Sequence, residues 1–280
     1  MVMKMHRIDL KNKSIRFDLI NDIKVDNIDK KKYKRVERIT VNKNNCYKYN
    51  KAKGEYISIF FDDITDRKMK DEVVKITSCE IKRLLKRKKL LKKSVLVVGL
   101  GNDFSTPDSL GPKVVKNIIN TRHISLISDL DDNYSVVSKI IPGVFANTGI
   151  ESFDIVKSLV KSINPEYIIV IDALSSTSLN KVNKIIQITD SGIDPGSGVG
   201  NYRKEISKKT LGIDVISIGV PTVVSLHTII KDILDEYDLD SVLDDKENYF
   251  VTPKEIDFVI EQLSFVISKS INNVLHDLTK

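Results

Sequence analysis

VLVVGLGNDFSTPDSLGP, residues 95–112, begins as an unbroken apolar strand, passes through a glycine turn and ends on a threonine, a proline and an aspartate suited to a helix start. A Val/Leu run without polar alternation is the pattern of a strand buried on both faces, and such strands belong to parallel sheets covered by helices. The same alternation continues downstream: PKVVKNIINT as helix, YSVVSKII as strand, IESFDIVKSLVKSIN as helix, YIIVID, NKIIQIT and DVISIG as strands, and PTVVSLHTIIKDILDEY as helix. This predicts an α/β fold, a three-layer α/β/α arrangement with a mostly parallel central sheet.

Working outward, residues 1–93 are polar, basic and irregular, with short candidate strands at VERITV and GEYISIFF. The run EIKRLLKRKKLLKKS at 80–94 places leucines at 84, 85, 90 and 91, near helical spacing, which predicts an amphipathic helix with a solvated basic face. No aromatic or amide reader is interleaved with these charges, so no stable nucleic-acid complex is expected. At the other end, VTPKEIDFVIEQLSFVISKSINNVLHDL predicts a packed helix with Thr252 as cap, Pro253 in its first position and Glu255 completing the signal. The expected organisation is one domain over 1–280 with 94–278 as its core.

A chain of 280 residues with 41% hydrophobic and 30% charged content can bury a core and is neither disordered nor fibrous. Its net charge of +7 would permit acidic partners, but the excess lies mostly in the first third. No stretch approaches the roughly 20 apolar residues of a membrane span, and the N-terminus lacks an apolar signal core, so a cytoplasmic location and no membrane partner are expected. Cys46 and Cys79 follow no pairing pattern and read as two reduced thiols.

In open α/β sheets, chemistry gathers at the carboxyl ends of strands. Two of those ends lead into aspartates: Asp108, after the glycine turn, and Asp172, directly after YIIVI. Asp108 alone fits a helix start, a role worth some tenths to about 1 kcal/mol. Asp172 is harder to explain structurally, because a carboxylate at the end of a buried strand must be paired, hydrogen-bonded or protonated. If the two strands are neighbours, the pair can divide its labour, one carboxyl keeping a proton and the other accepting one, as hydrolysis by activated water requires. The helix start would favour the Asp108 anion and the apolar strand a protonated Asp172.

TDSGIDPGSGVGNYRKE at 189–205 leaves many backbone N–H groups free beside Arg203 and Lys204, and could cradle a phosphate, clamp an extended peptide or form a plain surface turn. It lacks the Gly-Lys-Ser/Thr of a P-loop, and GLGNDF carries Phe104 where a dinucleotide fingerprint needs its third glycine. His6, His123, His227 and His276 are scattered without metal-ligand spacing, so no metal and no cofactor is expected. No GxSxG elbow marks Ser175, Ser176 or Ser197 as a nucleophile.

Together, VGLGN with TPDSLGP, then PGV and TGIES, IDALSS, QITDSGIDPGSGVGNYRKEIS, IGVPTVV and VTPKEID resemble the germination protease family of endospore-forming bacteria, in family order across 97–257. The resemblance implies an atypical aspartic endopeptidase on a phosphorylase/hydrolase-like α/β fold, similar to hydrogenase maturation proteases. It implies Asp108 and Asp172 as the catalytic pair, small acid-soluble spore proteins as substrates, and a place in the forespore or spore core. It also implies a substrate cleft drawn from Gly149, Glu151, Gly196, Ser197, Gly198, Asn201 and Arg203. RFDL at 16–19 is similar to the family's RTDL processing motif, which implies removal of residues 1–18 by a cut between Asp18 and Leu19, and the family's usual tetramer is a further expectation.

The departures from that pattern are Thr177 in place of an arginine, Asp194 in place of a histidine, Ser225 in place of an aspartate, and DLDSVLDDKENYF in place of a long insert after Tyr237. They keep two alternatives in view: a noncatalytic sporulation binding or regulatory protein on the same scaffold, and a metal-assisted maturation protease using Asp108, Asp172 and His227.

Overall fold

The structure is a computed structural model that describes residues 35–44, 46, 51–196, 203–233 and 249–278. Among these residues one sheet is formed by β1 (Arg35–Val41), β2 (Gly54–Phe60), β3 (Val95–Gly99), β4 (Val137–Ile140), β5 (Tyr167–Ser176), β6 (Ile185–Thr189), β7 (Asp214–Ser225) and the short β8 (Phe250–Val251). The spatial order is β1-β2-β6-β7-β5-β3-β4, with β8 added to β7. The strands β7, β5, β3 and β4 are parallel, as their unbroken apolar runs predict. β6 runs against β7, and β2 and β1 continue outward antiparallel, so the parallel core carries an antiparallel wing.

Helices among the described residues include α1 (Arg67–Arg87), α2 (Leu110–Lys116), α3 (Arg122–Ser125), α4 (Phe145–Thr148), α5 (Ser152–Ile163), α6 (Lys208–Leu211), α7 (Leu226–Ile233) and α8 (Ile256–Leu275). Strand side chains alternate between faces, so β5 feeds two cores. Ile169 and Ile171 pack toward α1, α2 and α8 with Leu84, Val114, Leu263 and Ile267, while Ile168 and Val170 pack toward Phe153, Val156 and Val160 of α5. Each such fully buried aliphatic side chain contributes about 1.5–3 kcal/mol relative to exposure. None of the helices among the described residues is long and apolar enough to cross a membrane.

Several local expectations are corrected. The basic helix starts earlier, at Arg67, where the Asp66 side chain accepts from the Met69 N–H, and it stops at Arg87, with Leu90 buried beyond its end. PTVVS is strand, not helix: β7 runs on to Ser225 because it is paired with β5 as far as Val224 and with β8 at Val224 and Ser225. Pro221 is tolerated there because the pairing slips between Leu174 and Ser175, the kind of irregularity at which a strand can lack one N–H. Thr252 does not cap α8; its hydroxyl donates to the Thr222 carbonyl at 2.9 Å, and the helix begins at Ile256.

Candidate active site

β3 and β5 are parallel neighbours with Gly99 opposite Ile171, and the Leu100 N–H donates to the Ile171 carbonyl at 2.8 Å. Asp172 therefore lies beside the glycine turn that follows β3, but not at the end of its strand as the apolar run suggests: β5 runs on to Ser176 because it stays paired with β7, Asp172 itself standing opposite Gly219. The turn doubles back: Ser105 N–H donates to Asn102, Asp108 N–H donates to Ser105, and a single 3-10 turn spans Thr106–Asp108 before α2 begins at Leu110. Thr106 makes no side-chain cap, and Asp108 lies ahead of the α-helix rather than in its first turn. Its carboxylate Oδ2 instead accepts from the Asn102 N–H at 2.8 Å, alongside its own carbonyl at 3.1 Å.

Close approach explains the glycines. A Cβ on Gly111 would lie 2.2 Å from the Leu100 carbonyl and 2.7 Å from that of Ile171, and one on Gly99 would lie 2.3 Å from the Gly111 carbonyl. Gly101, at φ +111°, would place a Cβ 2.0 Å from the Asp108 carbonyl oxygen. Only bare backbone lets the start of α2 sit on the end of β3 and on β5 at Ile171, and that contact brings Asp108 to Asp172.

The two carboxyls are electrostatically distinct. Asp172 is 6% exposed, and its Oδ1 accepts from the Ala173 N–H at 3.0 Å. Burial first, and the Asp108 charge second, push its pKa well above the ordinary aspartate range, against the pull of the Ala173 N–H and of Arg203. Burial also pushes Asp108 up, to about 6, with the Asn102 N–H and Arg203 opposing. Asp172, the more deeply buried, is therefore the carboxyl favoured to keep a proton, and Asp108, with the Asn102 N–H bonded to it, the one favoured to ionise. Such a pair can accept a proton from water at one carboxyl and donate a hydrogen bond from the other. Depth of burial is what separates the two carboxyls; Asp108 lies ahead of α2, so no helix start supports its anion as the sequence suggests.

The remaining candidates are unevenly placed. Asn147 of α4 donates its side-chain N–H to the Asn102 Oδ1 at 3.0 Å, which sets residues 145–151 along the Asp108 turn. Gly149, exposed at φ +68°, ends α4, and half-buried Glu151 precedes α5 with its Oε2 buried and without a hydrogen-bond partner among the described residues. Gly196 is half-buried at φ +70°. Arg203 is half-buried and acts on both carboxyls, whereas Ser197, Gly198, Asn201, Asp18 and Leu19 lie outside the described residues. Ser225 caps α7, its Oγ accepting from the Thr228 N–H at 3.0 Å. His227 is half-buried in the first turn of α7. Among the described residues no group of three or more His, Cys, Asp or Glu is arranged to hold a metal ion. Sequence reasoning missed Asn102, whose only signal was its place directly after the glycine turn, and Asn147, whose partner lies 45 residues away and leaves no local signal.

A family model described as germination protease matches residues 3–242 of this chain. The germination protease of Clostridium acetobutylicum is 37% identical, the alignment covering 91% of this chain and 86% of that protein. That of Geobacillus sp. strain WCH70 is 34% identical over 92% and 86%, and that of Priestia megaterium is 56% identical over a shorter part, 51% of this chain and 39% of that one. Among solved structures, the [NiFe] hydrogenase maturation protease HycI of Thermococcus kodakarensis KOD1 aligns with 65% of this chain and 94% of its own, at 15% identity and a TM-score of 0.34.

Proposed function

The chain belongs to the germination protease family and is a peptidase, and from that premise we propose that it cleaves small acid-soluble spore proteins in the spore core with Asp108 and Asp172 as its catalytic pair. Asp108, as the anion, takes a proton from a water molecule lying between the carboxyls. The resulting hydroxide attacks the scissile carbonyl carbon, and Asp172, still protonated, donates to the carbonyl oxygen as negative charge develops there. The tetrahedral adduct collapses when the proton taken by Asp108 passes to the departing amine, leaving no covalent intermediate.

The observation that supports this reading best is the meeting of buried Asp172, within β5, and half-buried Asp108, on the turn after β3, with burial pushing both carboxyls above the ordinary aspartate range. The turn at 145–151 and Arg203 flank the pair and are assigned to substrate binding. The decisive experiment incubates purified protein with a small acid-soluble spore protein and follows fragments by mass spectrometry. Asp108→Asn and Asp172→Asn should each abolish cleavage while retaining the wild-type circular dichroism; cleavage that survives in both would refute the pair.

The resemblance of RFDL to the family's processing motif supports maturation by a cut between Asp18 and Leu19. N-terminal sequencing of the active form checks it, and full activity of the uncut chain would exclude it. A tetramer, carried from the family pattern, is checked by sedimentation and excluded by a monomer at micromolar concentration.

A further inference from the structure

The basic charge of α1 does not form a merely solvated face. Asp190, the residue after β6, is nearly buried: its Oδ1 accepts from the Glu55 N–H at 2.7 Å and its Oδ2 from Arg87 at 2.7 Å. Lys88, which caps α1, reaches the same Oδ2 at 3.0 Å and also reaches Asp214 Oδ1 at 3.0 Å, while Asp214 Oδ2 accepts from Lys208 at 3.0 Å. One ammonium is thus held between two carboxylates that belong to opposite ends of a single connection. Asp190 opens the chain segment joining β6 to β7; Lys208 and Asp214 close it.

The two ends are also laced together by backbone. Ile193 and Ile206 exchange N–H to carbonyl bonds of 2.9 Å in both directions, and Arg203 lies three residues before Ile206. The Lys88 side chain is 21% exposed, so its pairs are screened less than surface ones. Against the pull of burial, Asp190 and Asp214 hold its pKa above the ordinary lysine range, which keeps it charged wherever the protein works.

We propose that Lys88 is a positioning residue: by tying Asp190 to Asp214 it fixes both ends of the β6–β7 connection and thereby the place of Arg203 beside the Asp108–Asp172 pair. Its consequence for cleavage rests on the aspartate-pair reading; its consequence for the position of Arg203 does not. Arg87 still holds Asp190, Lys208 still holds Asp214 and Ile193 still pairs with Ile206 when Lys88 is replaced, so the fold survives while the two ends lose the side-chain tie that Lys88 adds to the backbone one.

The test compares wild type, Lys88→Met, Arg203→Met and the double variant by NMR titration of the Asp108 side-chain carboxyl, with cleavage as a second readout. Lys88→Met should raise the Asp108 midpoint, as Arg203→Met does, and the double variant should shift it no further than the larger single change, because both act through one group. Cleavage should fall roughly tenfold or more in kcat/KM through misplacement alone, and Lys88→Arg, able to span both carboxylates, should restore most of it. An unmoved Asp108 midpoint in Lys88→Met, or additive shifts in the double variant, overturns the proposal. If wild type fails to cleave, the aspartate-pair reading falls, and the titration still decides the role of Lys88.

Discussion

Replacing Asp108 by Asn should make the protein more stable while destroying its activity. The substitution keeps an acceptor for the Asn102 N–H and removes a carboxyl whose folded-state pKa is raised from 3.8 to about 6. A raised folded pKa means that stability associated with this group is fully present below pH 3.8 and is lost as the pH climbs through about 6. At 1.36 kcal/mol per unit, the complete loss is about 3 kcal/mol, nearer 2 once partial solvent screening is allowed for. Urea denaturation at about pH 4, 6 and 8 should therefore find Asp108→Asn more stable than wild type by roughly 2–3 kcal/mol at the highest pH, with the gap closing to a few tenths at the lowest. A gap of constant size across the range, or a variant less stable at pH 8, would refute the claim that burial of an ionised Asp108 strains the site. Asp172 supplies a second readout: with the Asp108 charge gone, one of the two pushes on it disappears, and its midpoint should fall while burial keeps it above the ordinary range.

Cleavage should rise with pH through about 6, as Asp108 ionises, and decline at higher pH as Asp172 gives up its proton; a rate already flat at pH 5 would contradict the assignment. Gly111→Ala should cost more than about 3 kcal/mol or abolish folding, since its Cβ meets two backbone oxygens that cannot move aside, whereas Gly149→Ala, with nothing within 4 Å, should cost only about 1 kcal/mol of backbone strain. Thermal unfolding distinguishes the two, and equal losses would remove the close-packing account of the site. Ser225→Ala should lower stability by about 1 kcal/mol through loss of the α7 cap, and Ser225→Asp should not; indifference to both would show that the cap is idle.

The parallel core was legible because doubly buried strands such as VLVVG and YIIVI admit few other readings, and the two carboxylates were legible because each comes soon after one of those apolar runs, although β5 itself continues past Asp172 to Ser176. What escaped has specific causes. The bonding of Asp108 depends on a backbone N–H six residues earlier, which only the doubled-back turn makes available. Pro221 looked like a helix start because the pairing that keeps it in a strand comes from β5 and β8, distant in the chain. The ion pairs of α1 were hidden for the same reason: the Arg87 partners Glu55 and Asp190 lie 32 and 103 residues away. Local pattern reveals burial, whereas partners chosen across the sheet leave no local trace.

Order along the chain and order across the sheet also disagree in a way that bears on biosynthesis. β7 lies between β6 and β5, yet it is made after both, so until residues 214–225 emerge there are two separate half-sheets, β1-β2-β6 and β5-β3-β4, with no strand to join them. Asp108 and Asp172 both belong to the second half, while Arg203 lies on the connection into the joining strand. If Asp108, Asp172 and Arg203 form the site as proposed, a nascent chain cannot complete it until residues 214–225 have been synthesised, nearly four-fifths of the way along these 280 residues, which would delay the appearance of activity in the compartment that makes the protein.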